Sequence, residues 1–378
     1  MKKIIHLILF LTITFISCTN KDNEIVIPTT NYKFNLSSEA EFQVGANLGL
    51  NYFNDITVGV LNYSSSNIKL ITSANVETIL IEGTDLKNMT STSTIIRPSI
   101  VDNNSNKNAI DYNYIGLGQI IKAKDNKIYG LYHGEWHDGS VLPAGVPGFY
   151  GSIGLCISSN GGTSFSKSST AVIPNIYDKN YDNGFADGGY GEPSLTFNAD
   201  STAVYSYFVD HNRTGKGVNI CMAKFNVLSN GTPDFGNCYF LDDSNKFTNT
   251  TIRPKQIVYG IMGSSDAIFP HVTYNKKAKK YFMVYTLNSY SDFFTSGKPV
   301  LSGIYIRTST DGVNWSEKPT QLIIDYGIPF NTTASFTWHP TLIYTNNDQS
   351  EGYLLYSKST KGIAQESHKM WARKFTVN

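Results

Sequence analysis

A few short segments concentrate the groups able to do chemistry in this 378-residue chain. His133-Gly134-Glu135-Trp136-His137-Asp138 offers imidazoles, carboxyls and an indole together, and Asp210-His211-Asn212-Arg213 repeats much of that mixture. Asp187 and Glu192, then Ser265-Asp266 with His271, then Trp338-His339 supply the rest. One protonated and one ionised carboxyl form the set that cleaves a glycosidic bond. Burial raises the pKa of one such group, and a nearby His or Arg holds another low. Glu192, fixed beside Pro193, is the first candidate for the acid; its competing role is to cap the turn before a strand. Glu135 is second, with a sugar-hydroxyl ligand or a solvated loop charge as alternatives. Asp210 and Asp266 are candidates for the base or for tuning it, against the plainer role of an Asp that stabilises its own turn. His133, His137, His211, His271, His339 and Arg213 read as donors to sugar hydroxyls or anions. Trp136 and Trp338 read as stacking platforms, with core packing as the competing role.

These residues lie far apart, so the elements between them must gather them. Four segments repeat one pattern about every 70–77 residues. Each opens on a short apolar strand: Leu117-Gly118-Gln119-Ile120, Glu192-Pro193-Ser194-Leu195, Phe269-Pro270-His271-Val272 and His339-Pro340-Thr341-Leu342. An aromatic strand follows, such as Tyr205-Ser206-Tyr207-Phe208 or Phe282-Met283-Val284-Tyr285, and then a third strand. A repeat of this length made only of strands and turns predicts an all-β fold, a β-propeller. The segment before Asn108 has room for one more unit, giving five blades, with six as the alternative count. In that register Glu192, Phe269, His339 and Leu117 share one row at the entrance to the central channel, and Ser194, His271, Thr341 and Gln119 share the row two places on. The loops joining strand two to three, and strand four to the next blade, share the functional face. An N-terminal strand is expected to pair with C-terminal ones and close the structure.

The bulk numbers narrow the partners. Net charge is +1 and charged residues make up 16 %, with no basic stripe, which argues against nucleic acid. Lys2 and Lys3 precede an apolar run from Ile4 to Ile16, too short to span a membrane comfortably. Ending at Phe15-Ile16-Ser17-Cys18, it resembles a bacterial lipoprotein signal, an ordinary cleaved signal being the alternative. That resemblance implies a signal peptide over 1–17, lipidation of Cys18, a polar tether over 18–32 and a single domain over 33–378. It places the protein at the outer membrane or cell surface, in contact with membrane only through its lipid, as a monomer. Cys221 and Cys238 fall on neighbouring strands of one blade, so a bridge and free thiols are both open. No cofactor is expected, and no zinc pattern is present; the Asp-rich loops leave room for a structural calcium.

Two turns resemble the Asp-box, Ser-x-Asp-x-Gly-x-x-Trp, known in sialidases and other sugar-active propellers: Ser309-Thr310-Asp311-Gly312-Val313-Asn314-Trp315, and a degraded relative from Ser158 to Phe165. The inner-strand openings, above all Gly191-Glu192-Pro193-Ser194, and the aromatic second strands are similar to those of five-bladed glycoside hydrolases of the arabinanase, xylosidase and fructan-hydrolase groups. The resemblance covers residues 110–378. It implies an Asp base on the first blade, an Asp that tunes pKa on the next, and a Glu acid on the third, where Glu192 stands. The stretch Gly45-Ala46-Asn47-Leu48, read as the first inner strand, offers no Asp, and Leu117 with Gln119 occupy the second. The first functional reading is thus a surface glycoside hydrolase acting on a polysaccharide or oligosaccharide. A non-catalytic carbohydrate-binding lipoprotein is the second. A sialidase is the third, weakened because only five Arg are available: Arg97, Arg213, Arg253, Arg307 and Arg373.

Overall fold

The computed structural model describes residues 32–100, 102, 109–137, 149–176, 188–212, 218–249, 252–260, 266–288, 300–327, 336–359 and 368–378. Cys18, Asp138, Asp187, Arg213 and Ser265 lie outside the described residues. Tyr32–Asn378 forms one compact unit.

The unit is built from strands, with one short 3-10 turn at Ala46–Leu48. After β1 (Phe34–Leu36) and β2 (Phe42–Gln43), the chain runs through five successive antiparallel meanders. The first comprises β3 (Gly59–Ser64), β4 (Asn67–Ala74), β5 (Glu77–Gly83) and β6 (Met89–Ile96). The second comprises β7 (Tyr114–Lys122), β8 (Ile128–Trp136), β9 (Tyr150–Ser158) and β10 (Ser166–Lys167). The third has β11 (Gly188–Phe197), β12 (Ala203–Asp210) and β13 (Asn219–Asn226), with the short β14 (Tyr239–Leu241), β15 (Phe247–Thr248) and β16 (Gln256–Val258). The fourth has β17 (Asp266–Asn275), β18 (Lys280–Asn288), β19 (Val300–Ser309) and β20 (Thr320–Gly327). The fifth has β21 (Phe336–Tyr344), β22 (Glu351–Ser359) and β23 (His368–Val377). Its outer strands come from the N-terminus, as expected: β1 and β2 both pair with β23.

Each meander buries its faces against its neighbours. Ile71 and Leu80 of the first pack with Leu117 and Tyr132 of the second; Leu131 and Ile153 pack with Tyr190 and Phe208 of the third. Tyr207 and Met222 pack with Val272 and Met283; Val284 and Ile304 pack with Leu342 and Tyr356. The circle returns to its start where Leu355 and Met370 pack with Leu70 and Ile81. Dense aromatic second strands suit this architecture, because large rings fill the space between twisted sheets.

A row of polar contacts follows the same circle among the inner strands. Leu195 N donates to Gln119 Oε1 (3.0 Å), Val272 N to Ser194 Oγ (2.8 Å), Leu342 N to His271 Nδ1 (3.3 Å) and Val58 N to Thr341 Oγ1 (2.9 Å). Gln119 N, 3.4 Å from Thr57 Oγ1, completes it. His271 therefore accepts a backbone N–H inside the ring instead of offering a donor to a ligand. Its burial pushes the imidazole down to about 3, so it stays neutral.

Two residues before this row, three inner strands carry a bulge, at 192–193, 269–270 and 339–340. Glu192, Phe269 and His339 adopt φ of 54°, 55° and 49°, each just before a proline. A non-glycine residue there is strained by about 1–2 kcal/mol. In the second meander the bulge falls at 118–119, so Gly118 stands where Leu117 was expected; Leu117 lies in the core with 0 % exposure. A Cβ at Gly118 would lie 2.4 Å from Thr57 Oγ1. The first inner strand is also displaced from expectation. Gly45–Leu48 belongs to the turn, and the hydrogen bond at Val58 puts Asp55-Ile56-Thr57-Val58 in register with Glu192-Pro193-Ser194-Leu195.

Cys156, Cys221 and Cys238 are free thiols. The register that pairs Lys224 with Tyr239 carries Cys238 past Cys221, so these two do not face each other. At the turn after β19, Asp311 Oδ1 accepts Val313 N and Asn314 N, both at 2.8 Å, and Gly312 takes a φ of 77°. This turn is one residue shorter than the Asp-box pattern, whereas Ser158-Ser159-Asn160-Gly161-Gly162-Thr163-Ser164-Phe165 keeps the full spacing with Asn160 in place of the acid.

The closure seam is fastened by Glu41, whose carboxylate takes Lys358 Nζ at 2.6 Å and the Tyr356 hydroxyl. Burial works against the ionised form, but these partners outweigh it and lower the Glu41 pKa. Its stabilisation is then complete above the ordinary glutamate range and disappears as pH falls through the lowered value. Glu41→Gln is expected to cost about 1–3 kcal/mol at neutral pH. Urea denaturation of both proteins should show that gap shrinking in acid; a gap independent of pH would refute the assignment.

Candidate active site at the mouth of the ring

Asp55 precedes the first inner strand, Glu135 is the penultimate residue of β8, and Glu192 and His339 sit at the bulges of β11 and β21. These four, with His133 on β8, form one connected group. His339 stands between two carboxyls: Nε2 is 3.5 Å from Asp55 Oδ1 and Nδ1 is 3.7 Å from Glu192 Oε2. His133 links the other two, with Nε2 at 3.0 Å from Glu135 Oε1 and 3.7 Å from Glu192 Oε1. Glu135 Oε2 takes His137 Nε2 at 2.7 Å. The Glu192 side chain is 8 % exposed, Glu135 15 % and Asp55 29 %, so Asp55 is the most open to a solute arriving from solvent.

The surroundings of this group are tightly specified. The Asn54 amide, fully buried, donates to Ile56 O and His339 O (both 3.3 Å), which joins the first and last meanders beside Asp55. The Tyr114 hydroxyl donates to Asp55 O at 2.7 Å. Gly191 is required by His133: a Cβ there would lie 2.5 Å from the imidazole Cε1. Gly189, with φ of 78°, lets β11 run parallel to β9, since a Cβ would meet Gly151 O at 2.1 Å.

Electrostatics separates the three carboxyls. Burial raises Glu192, and the negative charges of Asp55 and Glu135 add to it against the pull of His133 and His339. Burial would raise Glu135 as well, but hydrogen bonds from His133 and His137 overcome it and bring it down to about 2. Asp55 is raised by burial, with His339 opposing and Glu135 assisting. His133 would be lowered by burial, yet Glu192 and Glu135 draw its pKa up. One carboxyl is held as an anion beside a histidine inclined to be a cation, and another is pushed toward keeping its proton.

The remaining expected residues divide. His211 is buried, its ring 5.1 Å from Phe149 and 6.4 Å from His133, so it lines the same region. Phe149 also meets His133 edge-on at 5.3 Å, an apolar surface the sequence reading passed over. Trp136 ends β8 and is half-buried; Trp338 is half-buried with its ring edge-on to Phe269 (6.2 Å) and His368 (4.9 Å). Two acids have other partners. Asp210 Oδ1 accepts Asn212 N and Nδ2, both at 2.9 Å, and its Oδ2 is 3.5 Å from Arg253, so it shapes its own loop. Asp266 Oδ1 accepts Val218 N at 2.9 Å and ties β17 to the strand beside it. Asp55 was the residue missed. Its signal was the register of Asp55-Ile56-Thr57-Val58, masked because Ile56 replaces the proline of the other repeats.

The arginines are dispersed. Arg97 faces Glu77, Arg307 bonds Tyr285 and the carbonyls of Ser316 and Glu317, and Arg373 bonds Ser37 O. Among the described residues, Arg253 is the one near the mouth, and no arginine trio surrounds a carboxylate position.

No family model matches the sequence, and no curated protein matches it. Solved structures do. An alpha-L-arabinofuranosidase from Lactobacillus brevis is similar at 12 % identity, covering 88 % of this chain and 93 % of that one, with a TM-score of 0.56. A structure described as a glycoside hydrolase is similar at 13 % identity, covering 90 % and 92 %, with a TM-score of 0.54. A protein of unknown function from Dyadobacter fermentans is similar at 10 % identity, covering 93 % and 100 %, with a TM-score of 0.50. At such identities the likeness establishes the fold: the chain has the all-β, propeller-type architecture of these proteins.

Replacing Glu135 by Gln removes the anion that holds a proton on His133. The His133 imidazole is expected to titrate at lower pH in Glu135→Gln than in the wild type, read from its ring resonances by NMR across a pH series. An unchanged midpoint would show that the pair is not coupled.

Proposed function

We propose that the five meanders are the blades of one propeller and that its mouth hydrolyses glycosidic bonds in a neutral polysaccharide or oligosaccharide. The observation that carries this reading is the bracketing of His339 by Asp55 and Glu192, which hold equivalent positions on the first and third meanders. Because each carboxyl lies against the same imidazole, their facing oxygens are within roughly 9 Å, a spacing that two-carboxyl glycoside cleavage accommodates. Glu192, buried and raised, donates its proton to the departing sugar oxygen. Asp55, more exposed, takes the proton of the attacking water. Burial is the main cause that favours a protonated Glu192, and Glu135, anionic through His133 and His137, adds repulsion in the same direction. This arrangement supplies the first-blade Asp and third-blade Glu that the family resemblance implies. It departs from that pattern in the second blade, where the acid stands on the second strand instead of the bulge. The dispersed arginines favour an uncharged sugar over a sialoside.

The fold neighbours described as an alpha-L-arabinofuranosidase and a glycoside hydrolase support the reaction class and make arabinofuranosides the first substrates to screen. Anchoring is part of the same reading. It rests on the likeness of Phe15-Ile16-Ser17-Cys18 to a lipoprotein signal, with the lipid carried on Cys18. The protein would then work as a monomer at the cell surface.

Glu192→Gln and Asp55→Asn are each expected to lower turnover by about 10²–10⁴-fold with the fold intact. Release of reducing ends from a polysaccharide panel measures this; wild-type turnover by Glu192→Gln would remove it as the acid. The rate should be bell-shaped in pH. Its acid limb marks protonation of Asp55, and its alkaline limb, marking ionisation of Glu192, lies above the ordinary glutamate range. A rate that stays flat through that range would contradict the assignment.

A further inference from the structure

On the closure seam, at the opposite strand ends from the mouth, a groove opens between the first and fifth meanders. Phe42, Tyr63 and Tyr353 line it with Glu39, Lys87 and Lys374. Tyr63 lies next to the end of β3, Lys87 in the β5–β6 turn, and Tyr353 near the start of β22. Phe42 meets Tyr353 edge-on at 5.8 Å, and Lys87 Nζ lies 4.9 Å from the centre of the Phe42 ring. The two phenols are neighbours: burial first, then the closeness of Tyr353 and Asp85, raises Tyr63 to about 12. Neither phenol hydroxyl has a hydrogen-bond partner among the described residues, and the Glu39 carboxylate has none either.

The lining is mixed in a specific way. Half-buried rings give apolar edges and faces, while two hydroxyls, the carboxylates of Glu39 and Asp85 and two ammonium groups give donors and acceptors of both signs; Asp85 already accepts from Lys87 N and Asn88, and Lys374 Nζ lies 3.6 Å from Glu351. A large apolar segment would leave those polar groups dehydrated and unpaired, at a cost. A strongly charged ligand would meet charges of both signs. A sugar chain meets the whole set, since its C–H faces pack on rings while its hydroxyls both donate and accept.

We propose that this groove is a second carbohydrate-binding site, which takes a short neutral oligosaccharide segment without cleaving it. No pair of carboxyls flanks a histidine there, and its position keeps it from sharing one sugar residue with the mouth. It would hold the protein on a polysaccharide while the mouth works on another stretch. The proposed hydrolase reading enters only in the choice of probe.

The test uses the full chain carrying Asp55→Asn and Glu192→Gln, so that bound polymer is not consumed, in native gels containing soluble arabinan, arabinoxylan or mixed-linkage glucan. One of these is expected to retard the protein. Tyr63→Phe with Tyr353→Phe, which keeps the rings and removes the hydroxyls, and separately Lys87→Ala, at an exposed position, should each weaken retardation at least fivefold. In an otherwise wild-type chain the same changes should leave turnover of a small chromogenic arabinofuranoside unaltered. Full retardation of both groove variants, or retardation by none of the three polymers, overturns the proposal. A protein that releases sugar but is not retarded sinks the groove and spares the mouth. Groove-dependent retardation with no sugar release from any polymer does the reverse.

Discussion

Each inner strand carries one polar side chain that takes the backbone N–H of the next inner strand. Thr57, Gln119, Ser194, His271 and Thr341 form this row, and it passes from meander to meander until Thr341 returns it to Val58. A buried N–H without a partner is costly, so each link fixes the height and rotation of one meander against the next. The apolar cores between meanders supply most of the cohesion but are tolerant of small slips. The polar row is not, because a one-residue slip turns its side chains to the opposite face.

The carboxyl group depends on that row. Two positions before it, the bulges at Glu192 and His339 and the turn at Asp55 bring side chains from the first, third and fifth meanders together. Left-handed backbone at a glutamate and at a histidine is unfavourable, and it persists because the following proline and the row of hydrogen bonds hold the strand on either side. Strain and function coincide there: the residues forced into an unusual conformation are the ones whose charges interact. The pKa separation between Glu192 and Glu135 arises in turn from burial acting on both and from two imidazoles favouring only one strongly.

Much of this was legible in the chain. The 70–77-residue repeat gave the meanders, and the Glu-Pro, Phe-Pro and His-Pro pairs, expected to open strands, fall instead at bulges inside longer ones that begin at Gly188, Asp266 and Phe336. Glu192 and His339 stood out because charge and imidazole preceded a proline at matching positions. Asp55 did not, because Ile56 removes that cue and the preceding residues mimic a strand opening that folds as a turn. His271 misled for the opposite reason. A histidine in a repeated row looks like a ligand, and only its neighbour shows it accepting Leu342 N. Asp210 and Asp266 looked like members of the acid set; Asp210 takes the plainer role of an Asp that binds its own turn, at Asn212 N, whereas Asp266 binds Val218 N, 48 positions away, which no local spacing rule connects to it.

The sequence by itself determined the local units: strand periodicity, turn residues and proline positions act over a few residues, and nearest-neighbour sterics are enough to set them. The circular order of the meanders was implied by the repeat. Which acids meet was not, because electrostatic partners 59 to 284 positions apart are chosen by how the sheets pack and by which strand ends come together. Tertiary structure alone placed Asp55 against His339 and left Asp266 on a backbone amide. A carboxyl's pKa follows from how much water it loses and which charges replace that water, and both are properties of the assembled ring.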